Sequence, residues 1–208
     1  NTYITAGDVG TSMENLLSIN KSTSNVSGIK LETSAPTAKG IFNAIDTIYK
    51  FLTNKELTES TIAISGIGKV GSKLSRLLFE KDAKLIVSNI GKDAVEQLKQ
   101  DKILFIESNI AKIFEMKCDI ISPCALGGVI NLEISKKLKC KAIVGAANNQ
   151  LDKPETAIWL KKNNIFYAPD YLVNSGGVIA ISCEINNCAD KLNEELNKIS
   201  DKVLSLLK

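Results

Sequence analysis

"TIAISGIGKVGSKLSRLLFEKDAKLIVSN", residues 61–89, decides how the rest of the chain is read. A β-branched run (61–65) enters a glycine-rich turn, a helical pattern follows over 70–81, and a second β-branched run occupies 84–89. Gly66, Gly68 and Gly71 fall at the G-x-G-x-x-G spacing between strand and helix. Each glycine has a separate physical task there: a tight turn, close approach of backbone to a pyrophosphate, and close packing of helix on strand. The first N–H groups of the helix have no partner within it and suit an anion. The stretch therefore predicts a dinucleotide cradle made of Gly66, Ile67, Gly68, Lys69, Val70, Gly71 and Ser72.

Outward from the cradle the same alternation continues. Further strands are predicted at 102–106, 118–123, 141–147 and 164–169, with helical patterns near 92–101, 131–138 and 154–163. Before the cradle, residues 37–52 read as a long helix with Ile41, Ile45, Ile48 and Leu52 on one face; residues 190–208 read as a terminal helix. Strand–helix alternation of this kind predicts an α/β fold, a doubly wound, Rossmann-type, mostly parallel sheet with flanking helices.

The second strand ends on Asn89, where NAD-preferring cradles usually carry a carboxylate for the ribose hydroxyls. An amide still hydrogen-bonds a hydroxyl but does not repel a 2′-phosphate. Arg76 is the only arginine, and Lys92 is the nearest cation to that strand end. NAD is the expected cofactor and NADP the alternative.

Composition excludes several function classes. The 208 residues are 44% hydrophobic and 24% charged, as in a soluble globular protein. A net charge of +3 with few aromatics gives no basis for a nucleic-acid surface. No apolar run approaches a membrane span and no signal pattern opens the chain, so no membrane partner and a cytoplasmic location are expected. Histidine is absent, which removes imidazole-based triads and mixed Cys/His metal sites. Five cysteines, at spacings that match no zinc pattern, read as reduced thiols, and no metal site is expected.

Six ordered stretches, "YITAGDVGTSMENL" (3–16), "PTAKGI" (36–41), "GIGKVG" (66–71), "SPCALGGVIN" (122–131), "GAANNQL" (145–151) and "YAPDYLVNSGGVI" (167–179), resemble the Glu/Leu/Phe/Val amino-acid dehydrogenase family, most of all its leucine-type members. The resemblance implies reversible oxidative deamination of an L-amino acid to a 2-oxo acid and ammonia, with reduction of NAD(P). The family's glycine-rich segment with its catalytic lysine has no counterpart here. The chain is thus expected to hold a remnant of the substrate domain (1–24), a cofactor domain (25–182) and a C-terminal helix (183–208). The fragment alone would then be inactive, and the full-length protein a homo-oligomer.

Roles follow the matched motifs. Asp8 matches the aspartate that acts as acid and base with the lysine, and a carboxylate suits that proton shuttling. Thr37 matches a threonine at the nicotinamide end, otherwise a simple helix N-cap. Ala125, Leu126 and Gly127 match the loop bordering the cofactor; Asn148 and Asn149 lie where an amide pair can both donate and accept. Asn174, with Gly176 and Gly177, forms a ligand-facing turn. Ala6, Val178 and Ile181 match apolar pocket positions, and Val178 and Ile181, three apart, share a helical face. Glutamate-type relatives place a serine where Ile181 stands, so a branched aliphatic substrate is expected. The rival readings are a glutamate dehydrogenase, NADP-linked in one version, and a nucleotide-binding protein without catalysis.

Overall fold

The computed structural model describes residues 3–7, 10–29, 31–89 and 91–208. Within them the helices are Met13–Asn20 (α1), Ser34–Thr53 (α2), Lys69–Phe79 (α3), Lys92–Gln100 (α4), Leu132–Ser135 (α5), Pro154–Lys162 (α6), Asp170–Val173 (α7), Gly176–Ile185 (α8) and Leu192–Leu207 (α9). The strands are Thr61–Ser65 (β1), Lys84–Ser88 (β2), Ile106–Glu107 (β3), Ile120–Pro123 (β4), Ala142–Ile143 (β5) and Phe166–Tyr167 (β6).

The six strands form one sheet in the order β3-β2-β1-β4-β5-β6. Every described pairing is parallel, from Thr61 opposite Lys84 in the β1–β2 pair to Ile143 opposite Tyr167 at the far edge. The order reverses between β1 and β4, the switch point outside which ligands of open α/β sheets bind.

Side-chain alternation splits the core between the two faces. Ile62, Ile64, Leu85, Val87 and Ile120 join the cluster under α2, α3, α4 and α9, while Ala63, Ile86, Ile121 and Ile143 join Ile113, Phe114 and Leu160 on the other face. A strand buried on both faces reads as a continuous apolar run, which is why 61–65 and 84–88 were legible. Along α2, Ile41, Ile45 and Ile48 are fully buried, and truncation of such a residue costs about 2–5 kcal/mol. Leu52, predicted on that face, is instead exposed, in an open groove lined also by Phe166 and Leu206.

Five of the six strands are shorter than predicted, and only β1 keeps its full range. Residues 102–105 are a helix-ending turn rather than strand: Lys102 has φ +57° and the Ile103 N–H donates to the Leu98 carbonyl at 3.0 Å. The same turn ends α3 and α6, where Ala83 N–H reaches Leu78 and Ile165 N–H reaches Leu160, each closing a buried apolar pair. After α6 this turn uses up residues 164 and 165 of the predicted strand. The sequence also hid α1, which opens with a reciprocal capping box between Ser12 and Asn15.

Candidate functional site

The three predicted glycines have three different surroundings. Gly66 has φ +96°, a conformation that L side chains rarely adopt, and a Cβ on it would lie 2.7 Å from that of Ala125. Gly68 meets nothing: a Cβ there would have no atom within 4 Å. Gly71 is the opposite case, because its Cβ would collide with the Gly66 carbonyl oxygen and sit 3.0 Å from the carbonyl carbon. Turn, open approach and tight packing are thus distributed over the three positions in the order a dinucleotide cradle requires. Gly68 is the N-cap of α3 and no side chain caps it, so the first N–H groups of α3, from Lys69, Val70 and Gly71, open onto that free space. Lys69 is exposed there, Val70 and Ser72 are half-buried, and Ile67 is fully buried. A pyrophosphate fits this ledge by the donors present and by the absence of any Cβ to exclude it.

Asn89 does more than end β2. Its side-chain oxygen accepts from the Ile67 N–H at 3.2 Å, and its amide donates to the Gly91 carbonyl at 2.8 Å. The residue therefore braces the glycine turn with both halves of its amide. The sequence offered only its position at the strand end.

From Asn89 an unbroken series of contacts runs along the C-terminal edge of the sheet. Gly66 meets Ala125 in the loop after β4, and Gly127 in that loop presses on the Asn148 carbonyl, with its would-be Cβ 3.0 Å from that of Asn149. Asn149 adopts φ +50° and its carbonyl accepts from Gly128 N–H at 2.7 Å. The Asn148 side-chain oxygen accepts from the Asn174 amide at 2.7 Å, and the same amide reaches the Ala146 carbonyl at 3.2 Å. Two residues on, a Cβ at Gly176 would collide with the Pro36 carbonyl and stand 2.8 Å from the Thr37 nitrogen. Ala125 and Leu126 stay exposed.

Thr37 corrects the alternative given for it. Helix α2 starts at Ser34, so Thr37 lies a turn inside and cannot be the N-cap; its hydroxyl donates to the Thr33 carbonyl at 2.8 Å. Its oxygen faces Gly177, whose would-be Cβ lies 2.9 Å away. The N-terminal segment reaches α8 further along: the Glu184 carboxylate accepts from the N–H groups of Gly28 (3.0 Å) and Leu31 (3.3 Å), three residues beyond Ile181. Ala6 and Ile181 are half-buried, whereas Val178 is 70% exposed. Asp8 lies outside the described residues.

Sequence reasoning missed Gln150. It is fully buried, and its amide donates to the carbonyls of Gly145 (2.9 Å) and Ala147 (3.0 Å), which holds the loop carrying Asn148 and Asn149. A glutamine directly behind the asparagine pair was the available signal. Beside the cradle, burial raises the Cys124 thiol pKa, against the weaker pull of the Ser122 hydroxyl and the Ala146 backbone, which disfavours the nucleophilic thiolate.

The ledge is built from backbone and is not an enclosed cavity. A groove of about 640 Å³ lies at the other end of the strands, beside Thr61, Asp119 and Lys141, away from every residue above. Among the described residues no helix is long and apolar enough to cross a membrane.

Comparison with known proteins agrees with this architecture. The chain is 36% identical over 215 residues to a phenylalanine dehydrogenase of Thermoactinomyces intermedius and 35% identical over 213 residues to a leucine dehydrogenase of the same organism. Each alignment takes in 98% of this chain and 58% of the relative, so the chain spans little more than half of their length. The crystal structure of L-tryptophan dehydrogenase from Nostoc punctiforme superposes with a TM-score of 0.85 at 29% identity, over 98% of this chain and 60% of that one. The family model for Glutamate/Leucine/Phenylalanine/Valine dehydrogenase matches residues 88–205, from the end of β2 through α9. With its sheet order, its glycine turn and that match, the chain belongs to the Glu/Leu/Phe/Val dehydrogenase family.

Proposed function

We propose that the chain is the nucleotide-binding portion of an L-amino-acid dehydrogenase that uses NAD to convert a branched aliphatic amino acid to its 2-oxo acid and ammonia. The observation that carries this reading is the free space over Gly68, in front of an uncapped helix start at the switch point of the sheet. The bound nucleotide supplies the acceptor for the hydride leaving the substrate Cα. The chain's own part is to bind and orient. The first N–H groups of α3 hold the pyrophosphate, Asn89 meets the ribose, and the amides of Asn148 and Asn174, already tied to each other, fix the nicotinamide side. Asp8 moves the proton. Ala6, Val178 and Ile181 line the substrate side, where an isoleucine leaves a second substrate carboxylate without a partner. NADP is the alternative nucleotide, since the Asn89 amide does not repel a 2′-phosphate, and the full-length protein is proposed to be a homo-oligomer.

The 208-residue chain is expected to bind NADH with a Kd between the micromolar and millimolar ranges, yet to produce no NADH from NAD with L-leucine. Its cradle is complete, but no glycine-rich, lysine-bearing segment accompanies Asp8. Calorimetry and absorbance at the NADH band test both halves; amino-acid-dependent NADH above background would refute the division of labour. Assays of the gene product containing this chain with L-leucine, L-phenylalanine and L-glutamate then separate the substrate readings.

Asn89→Asp is expected to favour NAD over NADP at least tenfold. At an effective dielectric near 20, two unit charges about 5 Å apart repel by roughly 3 kcal/mol, about a hundredfold, which solvent screening reduces. The substitution has a second effect that follows from the bond to Gly91. A carboxylate oxygen facing that carbonyl loses the exposed 2.8 Å hydrogen bond and costs about 0.5–1.5 kcal/mol of stability. Paired measurements of both nucleotides, with a melting curve and a Lys92→Ala control, resolve the two. An unchanged nucleotide ratio would show that position 89 only braces the turn.

A further inference from the structure

Helix α8 ends in the same kind of turn as α3, α4 and α6. In all four, a left-handed residue follows the helix (Asp82, Lys102, Asn164, Asn187), and the next N–H reaches a carbonyl five residues back. This turn brings the side chains of the two bonded residues into contact. In three of the turns the pair is aliphatic and buried: Leu78 with Ala83, Leu98 with Ile103, and Leu160 with Ile165. In the fourth it is Cys183 with Cys188, joined by a 2.9 Å bond from the Cys188 N–H to the Cys183 carbonyl, with Asn187 N–H to Glu184 completing the motif at 3.4 Å.

That bond also sets a limit on reach. With standard covalent geometry it keeps the two Cα atoms within about 6.8 Å of one another, the range that disulfides span. Both thiols are free, Cys183 is buried, and Cys188 is half-exposed at the turn surface. We propose that Cys183 and Cys188 are a thiol–disulfide exchange site, oxidised to an intramolecular disulfide by a small-molecule disulfide.

The accessible Cys188 reacts first. Its thiolate attacks one sulfur of the small disulfide; the S–S bond breaks, one small thiolate leaves and takes up a proton, and a mixed disulfide remains on Cys188. The Cys183 thiolate then attacks the Cys188 sulfur and expels the second small thiol. The protein's two thiols lose two electrons and two protons, and the small disulfide gains them. Burial raises the Cys183 thiol pKa, and the neighbouring Cys188 thiol adds to the shift, which lowers the thiolate fraction available for the second step. Cys118 and Cys140 are the competing pair, near each other at the starts of β4 and β5, but burial pushes each up to about 12 and makes them poor partners for exchange.

The test uses the reduced 208-residue chain and oxidised glutathione, without oxygen. The expected product is lighter by about 2 Da, carries no glutathione, and has lost two of its five free thiols. Cleavage after Glu184 separates the two cysteines, so the fragments on either side stay joined until a reductant is added. Cys188→Ser should give no joined fragments under the same treatment. A lasting glutathione adduct on Cys188 with Cys183 free, a Cys118–Cys140 link, or no reaction at all would each overturn the proposal. The wild-type fragment map alone decides the matter if the variant does not fold.

Discussion

Gly68→Val is expected to abolish nucleotide binding in a protein that still folds. Position 68 has extended backbone that a side chain tolerates, and no atom within 4 Å of a Cβ, so the apo fold meets no clash. The isopropyl group would instead fill the space through which a pyrophosphate approaches the start of α3. Affinity for NADH should fall by at least a hundredfold, about 2.7 kcal/mol, while the melting temperature moves by only a few degrees. Titration calorimetry beside a thermal melt reads both. A folded variant with unchanged affinity would remove the ledge from the binding account.

Gly71→Ala, three residues away, should do the reverse: damage the fold first. The added methyl runs into the Gly66 carbonyl and 3.4 Å from the Cys124 Cβ. The first obstacle is backbone, not the flexible end of a side chain, so the helix must be pushed off the strand. Overpacking of this kind costs about 3 kcal/mol, which for a chain of this length lowers the melting temperature by roughly 6–12 °C. Nucleotide affinity should drop as well, because the displaced helix start carries the phosphate donors. A melt indistinguishable from wild type would mean that α3 and β1 are further apart than described.

These opposite expectations for two glycines of one motif show how far the sequence could be read. The spacing announced a cradle, and the β-branched runs around it announced β1 and β2, because both lie buried on two faces. Strand β3 was misplaced at 102–106 since Ile103 is apolar for another reason, to close the turn after α4 onto Leu98. Pattern alone cannot separate an apolar strand residue from an apolar turn closure. Nor could sequence show that Asn89 holds the Ile67 N–H, or that a buried Gln150 carries the loop of Asn148 and Asn149. Both depend on partners set by the fold, which leave no periodic trace in the chain.

Helix α8 has one consequence for how such a protein diverges. Its first residue is wedged against Pro36, where no side chain can be added, while two positions later Val178 stands open. A mutation at the wedge is punished whatever the ligand; a mutation at Val178 alters what the helix presents and little else. Selection can therefore search new side-chain preferences one exposed residue at a time, with the helix still aimed by the close contact of Gly176 with Pro36. A library built on this chain should keep Gly176 and Gly177 and spend its diversity at Val178 and Ile181.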